Sequence, residues 1–326
     1  MQFINTKSFN IKRRKQISQD TDIIFVADFF KNDLIGGGEL STQALIDSSN
    51  MNVAELHSGL VDMQYLEEHQ SKYWVFTNIA NLNINLIPTI TANMKYSCIL
   101  YDYSFCKYRS MQKHYAAENQ ECNCSNEMIG KLISTFVYQA DTIWFMSEEQ
   151  MNVWLQKFPF LSEKNITVLS SIFDESFFLK YADLKQKLNS NEIVKNKKYV
   201  VLKSSSWIKG TDAAVNYCKT NNIEYDIVEG LSYDKLLEKL AESDGIVYLP
   251  PGDDTCPRLV IEAKLLGCNL VLNNHVQHAK EEWFDTKDLQ TTISYLYLCR
   301  TRFWNGIKDV ISYNPTISGY TTTYNC

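Results

Sequence analysis

The chain has 326 residues, 45% of them hydrophobic and 21% charged, with a formal net charge of −6. That length exceeds one typical core and suits two domains of a soluble protein. No window reaches the roughly 18 apolar residues of a membrane span, and the acidic balance argues against a broad grip on nucleic-acid backbones.

The N-terminus carries a small basic cluster, Lys12 to Lys15, with no apolar core after it. It reads as a solvated lead-in and not as an export signal. Nine cysteines, most in apolar contexts, sit behind that lead-in. Free thiols in a reduced, cytoplasmic setting are the expectation.

Short β-rich runs then alternate with helix-length segments. DIIFVADFF (22–30), YWVF, SCILYDY, DTIWFMS and NITVLSS are the strand candidates of the first half. KYVVLKSSS, EYDIVEG, DGIVYLPP and CNLVLNN are those of the second. Between them lie helical periods such as DKLLEKLAES, with Leu236, Leu237 and Leu240 on one stripe. Continuous apolar strands separated by helices predict parallel sheets covered on both faces. The pattern pauses in the polar stretch 185–198, which places a domain junction there. The expected organisation is an α/β chain with Rossmann-like domains at 1–185 and 186–312 and an irregular tail at 313–326.

Ligands of such sheets gather where strands lead into helix N-termini, and three loops of that kind have unusual chemistry. Gly36-Gly37-Gly38-Glu39 follows the first strand; its glycines permit close backbone approach, although the dinucleotide spacing is absent. Lys203 to Gly210, KSSSWIKG, combines two lysines, three hydroxyls and a helix start, a reasonable phosphate cradle. The third is DDTCPRLVIEAKLLGCNLVLNN (253–274). Here Asp254 or Thr255 is expected to cap a helix, Pro257 suits its first turn and Gly267 the residue past its end. Each loop also has an ordinary account: flexible connection, solvated lysines, or a routine i,i+4 pair between Arg258 and Glu262.

Together the three loops resemble the GT-B glycosyltransferases, most closely the retaining, nucleotide-sugar-dependent enzymes of family four. That family carries a GGxE stretch after its first strand, a basic residue and a Lys-Gly opening its second domain, and an E-x7-E motif. Here GGGE is 36–39, Lys-Gly is Lys209-Gly210, and Asp254 and Glu262 stand at E-x7-E spacing. The chain departs from the pattern in four places. Asp254 is one methylene shorter than the usual glutamate, and Lys203 precedes Lys209 by six positions, not five. Cys256-Pro257-Arg258 replaces Phe-Gly-Leu, and Asn269-Leu270 stands where a small residue and proline are common. The chain looks like a divergent member, of the short phage or environmental type.

The resemblance implies two parallel sheets facing across a cleft, with the acceptor on the first domain and the donor on the second. It implies that Glu262 binds ribose hydroxyls, that Asp254 holds the transferred sugar, and that Lys203 and Lys209 neutralise the leaving diphosphate. Gly37 and Gly38 would present backbone from the other side, and Arg258 and Leu259 would line the donor at the helix start. It further implies catalysis without a metal or other cofactor, with retention, onto a glycan, lipid-linked or other small acceptor. Asp102, after a strand, is the candidate acid or base near the acceptor, or else a turn aspartate; Lys107 and Arg109 nearby touch an anionic acceptor or face solvent. Competing functions on this fold are a non-catalytic nucleotide-binding scaffold, transfer to modified DNA, and nucleotide-sugar epimerisation.

One group stands apart. Cys106, His114, Cys122 and Cys124 supply the three thiols and one imidazole of a tetrahedral zinc set, but at a spacing, C-x7-H-x7-C-x-C, unlike a standard finger. A structural zinc and free or redox-sensitive thiols are both open. His275 and His278 belong more simply to a loop near the donor pocket.

Overall fold

The computed structural model describes residues 16–312. The basic cluster at 12–15 and the tail at 313–326 lie outside the described residues. The first half runs β1 (Ile23–Ala27), α1 (Gly37–Asp47), β2 (Val53–His57), α2 (Met63–Glu68), β3 (Tyr73–Phe76), α3 (Ile87–Asn93) and β4 (Lys95–Leu100). It continues through α4 (Met111–Glu118), α5 (Met128–Gln139), β5 (Ile143–Phe145), α6 (Glu148–Lys157), β6 (Ile166–Val168) and α7 (Glu175–Asn189). The second half runs β7 (Tyr199–Leu202), α8 (Thr211–Thr220), β8 (Tyr225–Val228) and α9 (Tyr233–Glu242). It ends with β9 (Gly245–Tyr248), α10 (Arg258–Leu265), β10 (Asn269–Leu272) and the long α11 (Leu289–Ser312).

The strands form two parallel sheets, β2-β1-β3-β4-β5-β6 and β10-β9-β7-β8. Side chains on a strand alternate between faces, and the first sheet shows why its strands are apolar throughout. Ile23, Phe25 and Ala27 enter one core, whereas Ile24 and Val26 enter the core on the opposite face. Tyr73 and Val75 divide from Trp74 and Phe76 in the same way. Both faces are dry, so no position in these strands can be polar without a partner.

Eight of the ten strands fall within the runs expected from sequence, β4 begins two residues ahead of its run, and β2 lies outside all of them. Its VAELH is interrupted by Glu55 and His57 and sits at the sheet edge with only Leu56 fully buried. An edge strand needs less apolar content, so its signal is weak.

The polar stretch after α7 is tied down: Lys195 Nζ donates to the carbonyl of Ser243 at 2.6 Å, and the Asn196 N–H to that of Glu242. The second half of α11 packs back onto the first sheet. Phe303 lies 5.2 Å from the Trp144 ring, and Trp304 Nε1 donates to the Leu45 carbonyl at 3.0 Å. One core cluster therefore includes residues of both sheets. No helix among the described residues is long and apolar enough to cross a membrane.

Candidate active site

The loops after β7 and β9 meet at Asp254. Its Oδ2 accepts from Lys209 Nζ at 2.9 Å and from the Tyr248 hydroxyl, and Lys209 also reaches the Tyr248 oxygen at 3.1 Å. Tyr248 is buried, and burial together with the Asp254 charge pushes its phenol well up, so it stays a donor. Among the described residues Asp254 Oδ1 makes no hydrogen bond, and the side chain keeps 13% of its surface exposed. A carboxylate oxygen with open lone pairs can accept a hydroxyl. Lys209 is held in place by the residue after it. Gly210 has φ +61°, and a Cβ there would fall 2.0 Å from the Leu249 carbonyl oxygen. Only glycine allows this turn to abut the end of β9. Thr211 closes the loop by donating to the Leu202 carbonyl at 2.8 Å and accepting the Ser204 N–H at 3.2 Å.

The expected cap of α10 is corrected here. The N-cap residue is Pro257, with no side-chain cap. Asp254 is engaged by Lys209 and Tyr248, and Thr255 donates to the Tyr101 carbonyl at 2.8 Å, tying this loop to the other domain. Gly267 does take the left-handed turn past the helix, at φ +74°.

Within α10, Arg258 and Glu262 form a buried pair, Nε to Oε1 at 3.4 Å, with side chains 6% and 2% exposed. The arginine also donates to the Ile172 carbonyl and, at 2.8 Å, to the Tyr233 oxygen; its guanidinium lies 4.0 Å over the Phe173 ring. Tyr233 in turn donates to Glu262 at 2.7 Å. Burial pushes the Glu262 carboxyl up, and the Arg258 charge opposes it. This is not a surface helix pair: three polar side chains contact one another inside the core. Leu259 is half-buried and packs against the main core. A cavity of about 240 Å³ opens above, lined by Tyr233, Arg258, Ser232 and Asp174 on one side and by Ile35 and Leu40 on the other. Glu262 meets this cavity only through Tyr233 and Arg258.

Across the cleft, the glycine loop lies against the same arginine. A Cβ on Gly37 would fall 3.8 Å from Arg258 Cδ, and one on Gly38 would fall 3.5 Å from Asn78 and Tyr101. The Glu39 carboxylate folds back on the start of its own helix, where its backbone N–H is the bonded donor, and burial pushes this carboxyl up. The sequence reading passed over Glu39 as a site residue.

A second cavity of about 330 Å³ lies between the domains. Tyr101, Asp102, Arg109 and Lys113 line it from one side; Trp207, Asp253, Asp254 and Thr255 line it from the other. Asp102 Oδ2 pairs with Arg109 Nε at 2.7 Å. Arg109, itself at φ +57°, also donates to Asn78 Oδ1 at 2.6 Å and pairs with Asp28 at 3.5 Å. Burial pushes the Asp102 carboxyl up while Arg109 pulls it back. Asp28 is fully occupied, accepting from Ser58 Oγ and the N–H groups of Ala80 and Asn81.

The structure thus brings Asp102 and Asp254 to one cleft, with Lys209 bonded to Asp254 and Gly38 against Tyr101 of its wall, whereas Arg258, with Gly37 against it, lines the other cavity. It leaves Lys203 apart, in a pair with Glu229 at 2.7 Å whose side chains are 54% and 60% exposed. Lys107 faces solvent, paired with Glu118 at 2.8 Å. His275 and His278 are separate: His275 holds Asp253 at 2.7 Å, whereas His278 is buried between Trp283 and Phe284, where burial pushes it down to about 3 and the ring is neutral. The ligand atoms of Cys106, His114, Cys122 and Cys124 converge, all within 4.8 Å of one another. Tyr233 and Tyr248 escaped the sequence reading because a tyrosine at a strand or helix end carries no spacing signal.

Two parallel sheets with ligand loops at the carboxyl ends of their strands define the GT-B fold, as the resemblance implied. In sequence the chain matches no family model and no curated protein. In structure it is similar to the trehalose-6-phosphate synthase OtsA, with TM-score 0.51 and 10% identity over 91% of this chain and 96% of that one. A UDP-forming α,α-trehalose-phosphate synthase from Burkholderia xenovorans in complex with glucose-6-phosphate gives 0.50 and 8%, over 85% and 92%. HepE from Anabaena, in complex with UDP and glucose, gives 0.49 and 12%, over 89% and 98%.

Proposed function

We propose that the chain is a glycosyltransferase moving a sugar from a nucleotide-diphosphate sugar to an acceptor hydroxyl, with retention of configuration. One observation supports this above the rest. Asp254 of the second sheet, bonded to the Lys209 cation, and Asp102 of the first line one cleft, and Gly38 of the glycine loop approaches Tyr101 in its wall. In this reading residues 1–185 carry the acceptor and 186–312 the donor. The bond from the anomeric carbon to the terminal phosphate oxygen breaks, and one to the acceptor oxygen forms. Lys209 offsets the charge that grows on the leaving diphosphate, a contact stronger in the transition state than before it. Asp254 Oδ1 accepts hydroxyls of the transferred sugar. Asp102, held by Arg109, takes the acceptor proton. Arg258, Leu259 and Tyr233 form the donor-side wall, and Glu262 acts through Arg258 and Tyr233. Lys203 reaches the diphosphate on release of Glu229, an exposed pair of small strength.

A second reading, nucleotide binding without turnover, draws on the same two residues: Glu262 is covered, and Lys203 is turned to Glu229. The test is thermal stability against a panel of nucleotides and nucleotide sugars. UDP-sugars come first, and glucose-6-phosphate is the first acceptor, because a UDP-forming neighbour binds it. Ligand at 100 times its Kd adds about 2.7 kcal/mol, a shift of a few degrees. Binding with release of nucleoside diphosphate supports transfer, and the anomer of the product reads retention. Binding without product selects the second reading, and no shift with any compound overturns both.

A further inference from the structure

Helix α4 is eight residues long, and His114 is its sole buried side chain. Tyr115 is 51% exposed, the other six residues are half-buried or exposed, and of these only Met111 packs against a core cluster. An isolated helix of this length is marginal in water, and one buried imidazole cannot supply the apolar area that usually docks a helix. Something else must hold it. The imidazole faces three thiols. His114 Nδ1 lies 3.7 Å from Cys106 Sγ and 3.4 Å from Cys124 Sγ, and all four ligand atoms, Cys122 included, fall within 4.8 Å. A zinc ion with bonds of about 2.3 Å to sulfur and 2.0–2.1 Å to nitrogen sets S···N edges of about 3.6 Å and S···S edges of about 3.8 Å. A disulfide would instead bring two sulfurs to about 2.05 Å, and all three cysteines of the group are free.

The surroundings fit the same set. Cys124 sits on a 3-10 turn (Cys124–Asn126) pressed against α5, where a Cβ on Gly130 would fall 2.0 Å from the Cys124 carbonyl oxygen. Cys106, Cys124 and His114 are buried.

The structure assigns Cys106, His114, Cys122 and Cys124 as a closed, four-ligand zinc site that anchors α4 as one wall of the interdomain cleft. Binding releases the thiol protons to solvent, and no redox step is involved. A four-ligand set of this kind is structural and offers no open position for a water. What it positions is nearby. Gln112 of α4 donates to Asp253 Oδ2 at 2.7 Å, and Arg109 and Lys113, between and beside the ligands, line the cleft. Asp253 passes the contact on to His275 at 2.7 Å. Binding energy at such sites is folding energy for the segment that carries them.

The test uses the reduced full chain without substrate, so its outcome is independent of the reaction proposed above. Elemental analysis of protein purified without chelator is expected to give one zinc per chain, lost in His114→Ala and in Cys124→Ser. Amide exchange should then rise across 106–127 and stay unchanged in the strands of both sheets. Because a variant can lose metal by misfolding, cobalt(II) is also added to the stripped wild-type chain. Thiolate-to-cobalt charge transfer and tetrahedral visible bands that zinc abolishes support the site. No zinc in the purified protein together with no cobalt bands, zinc retained in both variants, or a disulfide among these cysteines would each overturn it.

Discussion

Two helices of equal length, α10 and α4, border the two cavities of the molecule and are held by opposite means. In α10, six of eight residues are buried, and its two buried charged members, Arg258 and Glu262, pair inside the core. In α4 one residue of eight is buried, and that residue is a histidine. The α10 wall is part of the hydrophobic core; the α4 wall hangs from a ligand set. The difference teaches that a cleft can have one wall whose stability is global and another whose order is local and conditional.

The largest expected effect tests the first wall. Arg258→Ala strands a buried carboxylate and is expected to cost about 3–5 kcal/mol in denaturant unfolding. Glu262 already has its carboxyl raised above 4.5 in the folded protein, and loss of Arg258 raises it further. A raised folded value favours folding once the group is protonated, so the deficit should narrow as pH falls through that value towards 4.5. A deficit independent of pH would show that the lost packing on Phe173, not the charge, dominates.

Gly210→Ala comes next. The left-handed backbone and the contact with Leu249 predict a loss of about 1–3 kcal/mol, with Lys209 displaced and nucleotide-sugar affinity reduced. Unchanged affinity in a destabilised protein would remove Lys209 from the donor site. On the other wall, Gly130→Ala should push the Cys124 turn outwards. It is expected to lower zinc affinity and raise exchange in α4 with little change in the main unfolding transition. If instead the global midpoint falls as far as in Arg258→Ala, the two walls are not independent and the contrast fails. The smallest effect is Lys203→Ala. Its exposed pair with Glu229 predicts less than about 0.5 kcal/mol of stability, yet weaker binding of nucleotide diphosphates in a titration.

Much of the fold was legible because burial on both faces forces apolar residues into every strand position, as at Ile23–Ala27 and Tyr73–Phe76. The edge strand β2 was not, since half-buried residues are free to be polar. The site was legible as loops and not as contacts. Asp254, Lys209, Gly37 and Gly38 stand at recognisable spacings, whereas the partners that decide their chemistry come from elsewhere in the chain. Tyr233 reaches Glu262 from 29 residues away, and Ile172 holds Arg258 from 86.

The sequence by itself determined the order of strands apart from β2, the three loops at their junctions, and the presence of three thiols and an imidazole in one polar segment. Periodicity and local chemistry are properties of neighbours along the chain. Only the tertiary structure decided that Thr255 binds Tyr101 instead of capping α10, and that Glu262 is sealed beneath Tyr233. It alone gathered Cys106, His114, Cys122 and Cys124 to one point. Those outcomes depend on distances between residues far apart in sequence, which packing sets and spacing does not encode.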